Sequence, residues 1–415
     1  MKLIKDSIWN ILSIGIPALV AIPIFSLISK KVGFEIFGIY TLSFAIVGYA
    51  SIFDLGLSRA VIREVAIHVN HPNDINYIVN TAFSVVVILG LLSCLIILLT
   101  NSFLVDFIGV SLYFKADVIK GMQWLAYCLP LLLVSQIWLS YFEGLANFKS
   151  LSIFKTLSNI LIVVLPYLMV LVRPTFSYLM MGMLSARLIA FLISYFWISK
   201  KINIAFHVDK DCLKRLLYFG GWFTVSSVVG PIMVYFDRFI LSSLIGAKNV
   251  AFYTAPSELV MRLLSLPNAG ARVLFTRFSN TAAGNERRIY FLSIIILGVS
   301  AFALSLPLFI FAEKILVLWM GQSFVGEPVL VFRILLLGFV FNAIAQVPFN
   351  NLQAKGFSKL TALVHCVEVV PYLIILFFFT YTYGMLGVAL AWTLRITFDT
   401  LIFLYLDFYK GNKNE

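Results

Sequence analysis

The stretch INYIVNTAFSVVVILGLLSCLIILLTNSFLV, which runs from Ile75 to Val105, contains no Asp, Glu, Lys or Arg in 31 consecutive residues. A helix needs about 20 apolar residues to cross roughly 30 Å of hydrocarbon. No soluble fold needs many such runs, so their number indicates a polytopic membrane protein. Eight further stretches of 17 to 26 residues also lack these charges: Ser7–Ser29, Ile36–Phe53, Gly121–Phe142, Thr156–Val172, Leu216–Phe236, Ile289–Ala312, Ile334–Ala354 and Val369–Leu394.

The composition supports this class, because 61% of the residues are apolar, 12% are charged and the mean hydropathy is +0.99. A chain of 415 residues has room for about 12 spans. We therefore predict an all-α integral membrane fold with about 12 transmembrane helices. The spans are placed near residues 8–29, 36–55, 77–99, 121–142, 152–172, 176–199, 216–237, 250–270, 289–311, 331–352, 361–381 and 385–406.

The net charge of +12 follows the placement of the loops. With the N-terminus in the cytoplasm, 19 of the 31 Lys and Arg residues fall on the cytoplasmic side and eight on the opposite side. Because Lys and Arg collect on the cytoplasmic side of membrane proteins, both termini are predicted to be cytoplasmic. The remaining four basic residues lie inside spans: Arg187, Arg262, Arg333 and Arg395.

The two halves of the chain share a sequence pattern. The segment VGFEIFGIYT (Val32–Thr41) aligns with IGAKNVAFYT (Ile245–Thr254) at an offset of 213, which also places Arg59 on Arg272. Parallel repeats related by an axis along the membrane normal occur in transporters, where the substrate is held between the repeats. The pattern predicts two six-helix lobes related by such a pseudo-two-fold axis: residues 1–205 and residues 206–415.

Charges inside the spans are the candidates for function. A charge at the bilayer centre costs at least about 2.5 to 3.5 kcal/mol and normally faces a partner or a wet cavity. Glu258, Arg262 and Glu368 have no charged counterpart in the first half, so the repeated scaffold does not require them. A structural role stays open, because Glu258 and Arg262 are spaced i,i+4, as are Arg395 and Asp399, and each pair can neutralise itself.

We predict two sets of site residues from these charges. Cationic residues suit an anionic head group; the substrate-binding set is Arg187, Arg262, Arg59 and Arg272. The last two, being matched by the repeat, belong equally well to the scaffold or to a symmetric gate. The ion-coupling set is Glu258, Glu368 and Asp237. For Asp237 the structural alternative is a cap, together with Arg238, at the far end of the seventh span.

Sequence signatures of catalysis and of metal binding are absent. The chain contains no Walker A motif, no Gly-x-Ser-x-Gly and no paired Cys or His spacing of the kind that holds a metal. The hydrophilic loops are too short for a catalytic domain. We therefore expect no enzymatic activity, no metal and no cofactor.

Two segments resemble the O-antigen and polysaccharide-repeat flippases (the Wzx type) of the multidrug/oligosaccharidyl-lipid/polysaccharide exporter superfamily. They are LISKKVGFEIFGIYTLSFAIVGYASIFDLGLSRAVIRE (Leu27–Glu64) and YFDRFILSSLIGAKNVAFYTAP (Tyr235–Pro256). The resemblance rests on a Gly-x-x-x-x-Gly-x-Tyr stretch, on Asp54-Leu55-Gly56 and on Asp237-Arg238. The layout of six plus six spans extends it over nearly the whole chain.

This resemblance implies a function in O-antigen and lipopolysaccharide biosynthesis. The substrate would be an oligosaccharide repeat unit on undecaprenyl pyrophosphate, moved from the cytoplasmic to the periplasmic leaflet of the bacterial inner membrane. It further implies alternating access between two lobes, a cationic central cavity and coupling to an ion gradient. The implied partners are membrane lipids, a polysaccharide polymerase and a chain-length regulator, with no nucleic acid.

Other transporter and enzyme classes stay open. A cation-coupled drug exporter of the same superfamily should favour acidic cavity residues, whereas the clear mid-span charges here are four arginines against Glu258 and Glu368. A lipid II flippase usually has more than twelve spans. A membrane glycan polymerase or ligase would need a long periplasmic loop, and a major-facilitator carrier would need a loop signature that is missing after the second span.

Overall fold

The computed structural model describes the backbone of residues 2–267 and 286–411, and within them the side chains outside 2–12, 14, 50–51, 222–232, 286–289, 358 and 410–411. These residues form α-helices, two short 3-10 helices (Ser51–Asp54 and Gln322–Phe324) and no strand. The helices are α1 (Lys2–Val32), α2 (Phe34–Ala50), α3 (Leu57–Ile67), α4 (Pro72–Phe107), α5 (Leu112–Gly144), α6 (Phe148–Val172), α7 (Phe176–Ile198), α8 (Lys210–Ile245), α9 (Ala247–Leu263), α10 (Glu286–Ile310), α11 (Ala312–Met320), α12 (Glu327–Ala354) and α13 (Ser358–Gly411).

Within the described residues, nine helical segments are long and apolar enough to cross a membrane. The last of them, Lys359–Tyr409, has 51 residues and would be about 76 Å long if straight, more than twice the hydrocarbon thickness. Gly384 divides it, because its backbone is not helical (φ 57°, ψ −133°). Helix α13 therefore supplies two crossings, as predicted for residues 361–381 and 385–406.

Two more helices complete the expected number of spans. Helix α8 has 36 residues, includes the predicted seventh span and continues beyond it to Ile245. Helix α9 has 17 residues and includes the first part of the predicted eighth span. The last residues of that span, 268–270, lie outside the described residues. The predicted all-α integral membrane fold with about 12 spans is confirmed.

Close packing divides the chain into two compact units, which we call unit 1 (Met1–Phe236) and unit 2 (Asp237–Glu415). The division falls inside α8. The lobe boundaries predicted from the repeat, residues 1–205 and 206–415, stay a prediction.

In unit 1, helix α5 packs against both α4 and α7. At Gly90 of α4, an added Cβ would lie 2.9 Å from the Cα of Pro130 in α5, so the absence of a side chain allows this close approach. A buried cluster surrounds Trp138, whose ring stacks on Phe83 and contacts Phe191. The helices that line the candidate site of unit 1 are thus held by a well-packed apolar core.

Polar side chains of α4 hold the extended segment between α7 and α8. The Asn80 amide donates to the carbonyl of Asn203 (2.8 Å) and accepts from the N–H of Ala205 (3.2 Å). One turn further along α4, the Ser84 hydroxyl accepts from the N–H of His207 (3.0 Å). Since an extended segment has no internal partners for its backbone groups, these side chains satisfy them. They also explain why polar residues interrupt the apolar run of α4.

In unit 2, helix α12 packs along the second part of α13. The Thr400 hydroxyl donates to the carbonyl of Phe341 (3.1 Å), and the Asn351 amide donates to the carboxylate of Asp407 (2.9 Å). These interhelical bonds join α13 to α12 at two levels. They keep buried polar groups satisfied inside an apolar helix pair.

Equal sequence separations link corresponding helices in the two units. In unit 1, the N–H of Phe176 at the start of α7 donates to Asp117 of α5 (2.7 Å), 59 residues earlier. In unit 2, the Thr393 hydroxyl donates to the carbonyl of Ile334 (3.0 Å), again 59 residues earlier. The shared separation agrees with an internal repeat in which each unit pairs its fourth and sixth span.

Candidate substrate and coupling sites

Arg187 lies in the middle of α7 and faces a small cavity inside unit 1. The cavity has a volume of about 170 Å³ and lies between α5, α6 and α7. Arg187 makes no hydrogen bond or ion pair with any described residue, and its Nε is shielded from solvent without a partner. None of the described residues that line the cavity is acidic; the polar ones are Ser135, Gln136, Lys155, Ser158, Asn159 and Arg187. A shielded guanidinium without a counter-ion costs free energy, so this cavity suits an anion.

Arg59 is connected to that cavity through two other charged residues. Its NH1 lies 3.9 Å from Oε1 of Glu143 at the end of α5, and Oε2 of Glu143 lies 3.5 Å from Nζ of Lys155. The three side chains are 56%, 29% and 44% exposed, respectively. Ion pairs of this exposure contribute at most about 1 kcal/mol. Glu143 can therefore exchange partners at little cost.

The Asp54-Leu55-Gly56 motif forms the turn that begins α3. The Asp54 carboxylate accepts hydrogen bonds from the N–H of Ser58 (3.1 and 3.2 Å). Leu55 (φ 48°) and Gly56 (φ 70°) both have left-handed backbone conformations, which glycine tolerates far better than leucine. The motif thus fixes the direction of the helix that carries Arg59.

Asp237 and Arg238 are buried in the interior of α8, each 3% exposed. The prediction that they cap a helix end is wrong, because α8 continues past them to Ile245. The Tyr253 hydroxyl donates to Oδ2 of Asp237 (2.5 Å), and NH2 of Arg238 donates to Oε1 of Glu258 (2.9 Å). Both carboxylates therefore contact α8 and α9 within unit 2.

Glu258 is shared by two arginines. Its Oε2 lies 3.7 Å from NH2 of Arg262, one turn along α9, so the pair expected from the i,i+4 spacing forms. Two guanidinium groups, Arg238 and Arg262, are matched by two carboxylates, Glu258 and Asp237. This cluster neutralises its own charge.

Glu368 forms a second charged cluster within α13. Its Oε1 lies 3.2 Å from Nδ1 of His365 and 3.4 Å from NH1 of Arg395. Arg395, which the spacing would pair with Asp399, thus pairs with Glu368. The donor atoms of His365, Glu368 and the buried Asp399 lie within 4.8 Å of one another. Such a group can hold a proton or a monovalent cation, and the positive charge of Arg395 beside it disfavours a divalent metal ion.

The structure places the predicted substrate-binding and coupling residues in three groups. Arg187 and Arg59 belong to unit 1, whereas Arg262, Glu258 and Asp237 share one network in unit 2, and Glu368 has its own cluster. Arg272 lies outside the described residues.

Sequence reasoning missed Lys155 as part of the Arg187 cavity, because Lys155 was counted with the cytoplasmic charges. A signal was present: Lys155, Ser158 and Asn159 are spaced i, i+3 and i+4, so one face of α6 is polar. His365 was also missed as a neighbour of Glu368, although the two lie three residues apart.

Comparison with known proteins places the chain in a family. The family described as "Polysaccharide biosynthesis protein" matches residues 3–282. A Shigella flexneri protein named as a candidate O-antigen transporter is 37% identical over 412 residues, which are 98% of each chain.

Solved structures share the fold at low sequence identity. The lipid II flippase MurJ in an inward closed conformation gives a TM-score of 0.75 at 15% identity, over 97% of this chain and 87% of that one. An inward-facing multidrug resistance MATE family transporter of the MOP superfamily gives a TM-score of 0.74 at 17% identity, over 98% of this chain and 94% of that one. A third similar structure is a MOP superfamily transporter from Pyrococcus furiosus, whose binding pocket is described as having reverse polarity. It gives a TM-score of 0.69 at 15% identity, over 99% of this chain and 95% of that one.

These likenesses confirm the predicted fold class and the resemblance noted from the sequence. Because the family matches residues 3–282 and the Shigella flexneri relative aligns over 98% of both chains, the chain belongs to the polysaccharide biosynthesis protein family.

Proposed function

We propose that the protein moves oligosaccharide repeat units linked to undecaprenyl pyrophosphate from the cytoplasmic to the periplasmic leaflet of a bacterial inner membrane. The observation that carries this proposal is the 37% identity, over 98% of both chains, to the candidate O-antigen transporter of Shigella flexneri. The fold shared with a lipid II flippase agrees with it. The protein is accordingly a transporter of polysaccharide biosynthesis and not an enzyme.

Four arginines are proposed to bind the anionic pyrophosphate. Arg187 has the strongest support, since its cavity holds two cationic side chains and no acidic one among the described residues. Arg262 has weaker support, because Glu258 already faces it. Arg59 contacts Glu143, and Arg272 is proposed only as its counterpart in the repeat.

Transport is proposed to proceed by alternating access of two six-helix lobes, with both termini in the cytoplasm, and to be driven by an ion gradient. The coupling residues are Glu258, Glu368 and Asp237. Glu368 is the best placed of them, because His365 and Asp399 lie beside it and can share a proton or cation with it.

A flipped repeat unit must still be joined into a polymer. We therefore propose a polysaccharide polymerase and a chain-length regulator as partners that act on the product in the periplasmic leaflet. Membrane lipids surround the protein, and nucleic acid has no part in this function.

A second candidate function is cation-coupled export of drugs, which the fold shared with a multidrug resistance transporter supports. A cationic drug would favour acidic cavity residues, whereas Arg187 and Lys155 line the cavity of unit 1. A membrane glycan polymerase has less support, because the relatives described above are named as transporters.

The test uses a strain that carries this gene and a derivative in which the gene is deleted. Surface polysaccharide is separated on a gel, and undecaprenyl-linked saccharides are labelled and assigned to a leaflet. Loss of surface polymer with intermediates on the cytoplasmic leaflet is the expected result. Unpolymerised intermediates on the periplasmic leaflet would instead indicate a polymerase. Normal polymer with a new drug sensitivity would indicate a drug exporter.

Complementation with variants then tests the residues. We expect Arg262→Ala to reduce export while the protein still inserts at normal levels. Full export by a stably expressed Arg262→Ala variant would remove Arg262 from the substrate site.

A further inference from the structure

We propose that the Arg187 cavity of unit 1 binds the phosphoryl group of a lipid, with Lys155 as a second cation and Glu143 as an internal competitor. The choice of a polyprenyl pyrophosphate as that lipid rests on the proposed function. The site itself rests on the arrangement of α5, α6 and α7.

The polar lining of the cavity combines two cations with uncharged polar groups. Arg187 and Lys155 have only donors, while the amides of Gln136 and Asn159 each offer an NH₂ donor and a carbonyl acceptor. A cation would need carboxylates, and an uncharged sugar ring would leave the two cationic groups without a counter-charge. A phosphoryl group has several acceptor oxygens and negative charge, which matches this set of donors.

The size of the cavity selects a small group. Its volume of about 170 Å³ is below the roughly 300 to 1,000 Å³ of pockets that enclose whole drug-sized ligands. At about 30 Å³ for each water molecule in the liquid, it has room for roughly five or six waters. A phosphoryl head group fits, and the acyl or prenyl chain must stay outside.

The position of the cavity along the helices fits a lipid head group that has entered partway. Lys155 and Asn159 are roughly 10 and 16 Å along α6 from its start at Phe148, and Gln136 is roughly 12 Å from the end of α5 at Gly144. All of these distances start from the turn between α5 and α6. A head group that enters from this end would meet Lys155 first and Arg187 last.

Glu143 lies at this entrance and competes for Lys155. Its carboxylate is 3.5 Å from Lys155 Nζ and 3.9 Å from Arg59 NH1. An arriving phosphoryl group would draw Lys155 away from Glu143. Glu143 would then be free to pair more closely with Arg59. Because Arg59 lies near the start of α3, binding at the cavity would change an ion pair of that helix.

The experiment measures lipid binding to the purified full-length protein in detergent by native mass spectrometry. The probes are undecaprenyl pyrophosphate, phosphatidylglycerol and, as an uncharged control, undecaprenol. The variants are Arg187→Gln, Lys155→Gln and Glu143→Gln. The matched control is Arg333→Gln, since Arg333 lies over the ring of Phe309 and hydrogen-bonds its carbonyl, away from the cavity. Melting temperatures without lipid verify that each variant is folded.

We expect Arg187→Gln to weaken binding of undecaprenyl pyrophosphate about 10- to 100-fold, the effect of losing a charge-assisted hydrogen bond. Lys155→Gln should weaken it less, about 3- to 10-fold, because its side chain is 44% exposed. Glu143→Gln should strengthen it about 2- to 5-fold, because the competing carboxylate is lost. Arg333→Gln should bind undecaprenyl pyrophosphate as tightly as the wild type does. Binding of undecaprenol should be the same in every variant.

Comparison of the two phosphorylated lipids identifies which kind of lipid supplies the phosphoryl group. Dependence on Arg187 for undecaprenyl pyrophosphate alone supports the transport substrate, whereas equal dependence for phosphatidylglycerol supports a bilayer phospholipid in the same site. Unchanged binding of both phosphorylated lipids to folded Arg187→Gln and Lys155→Gln variants would overturn the site. That result would leave the proposed function intact, and normal surface polymer in the deletion strain would overturn the function while leaving the site intact.

Discussion

Units 1 and 2 treat the charges inside their helices in opposite ways. In unit 2, Arg238 and Arg395 each have a carboxylate within 3.4 Å and Arg262 has one at 3.7 Å, while Arg333 hydrogen-bonds the carbonyl of Phe309 and lies over its ring. In unit 1, Arg187 has no ion-pair partner among the described residues, and a second cation, Lys155, lines the same cavity.

This difference separates charges that the fold requires from charges that serve a ligand. A charge held by an internal partner is stable whether or not a ligand is present, although removal of that partner is costly. An uncompensated guanidinium lowers stability unless a ligand supplies the missing charge. Unit 1 is thus equipped to receive an anion, and unit 2 is equipped to exchange protons or cations within a balanced network.

The largest expected effect is on export in an Arg187→Met variant. Methionine keeps the length of the side chain without its charge, so transport should fall at least about tenfold. The thermal stability of the empty protein should stay the same or rise by about 1 kcal/mol, because an uncompensated, partly buried charge is removed. Export is measured as surface polysaccharide in the deletion strain and stability by thermal melting in detergent. A marked fall in melting temperature would show that Arg187 supports the fold and would end the contrast between the units.

The opposite outcome is expected in unit 2 for Glu258→Gln. This change removes the carboxylate that Arg238 and Arg262 share, inside a cluster where Arg238 is 4% exposed. Unfolding free energy should fall by about 2 kcal/mol, less than for a fully buried pair because Glu258 is 25% exposed. The double variant Glu258→Gln/Arg262→Gln should recover part of the loss, since one unmatched cation is also gone. Equal melting temperatures for wild type and Glu258→Gln would show that the network does not stabilise the folded protein.

Much of the fold could be predicted from the sequence, because hydrocarbon imposes a simple length and charge requirement on every span. The nine runs without charges located most of the twelve spans without knowledge of their packing, but not the spans at 176–199 and 250–270, which carry Arg187, Glu258 and Arg262. The length of α8 was less accessible, because helix ends depend on backbone geometry that an apolar run does not specify. The structural alternative for Asp237, a helix cap, therefore placed the end of α8 too early, since the helix continues to Ile245.

The sites were only partly accessible from sequence. Pairs one helical turn apart, such as Glu258 with Arg262, follow from the helical period alone. The pairing of Arg395 with Glu368 joins residues 27 positions apart, and that of Arg238 with Glu258 joins residues 20 apart. Such pairs depend on how helices pack, which a single sequence does not reveal. The isolation of Arg187 is harder still to predict, since it depends on the absence of neighbours.

A smaller effect is expected at the Glu368 cluster of unit 2. Glu368→Gln keeps the shape of the side chain but removes a group that can bind a proton or cation. Export should fall several-fold and should lose its dependence on the pH or sodium gradient. Transport of labelled lipid-linked saccharide in proteoliposomes, with each gradient imposed in turn, checks this. The matched variant in unit 1 is Glu143→Gln, which should keep its gradient dependence. A retained gradient response in Glu368→Gln would move the coupling to another carboxylate.

The smallest effects are expected where each unit uses uncharged polar groups. In unit 1 the Asn80 amide makes two hydrogen bonds to the extended segment before α8, whereas in unit 2 the Thr400 hydroxyl joins α13 to the Phe341 carbonyl of α12. Interhelical hydrogen bonds in membranes contribute about 0.6 kcal/mol on average, so Thr400→Val should lower the unfolding free energy by about that amount. Asn80→Ala should cost about 1 kcal/mol, since two bonds are lost.

The two variants should differ more clearly in which residues exchange their backbone hydrogens faster than in the unfolding free energy that they lose. Asn80→Ala frees the backbone N–H of Ala205, so hydrogen exchange should accelerate in residues 203–209 and stay unchanged in α4 itself. Thr400→Val leaves every backbone N–H of α13 in its helix, so exchange there should hardly change. If Asn80→Ala left exchange in residues 203–209 as slow as in wild type, the segment would be held by its own packing. The polar residues within the apolar run of α4 would then lack the role assigned to them.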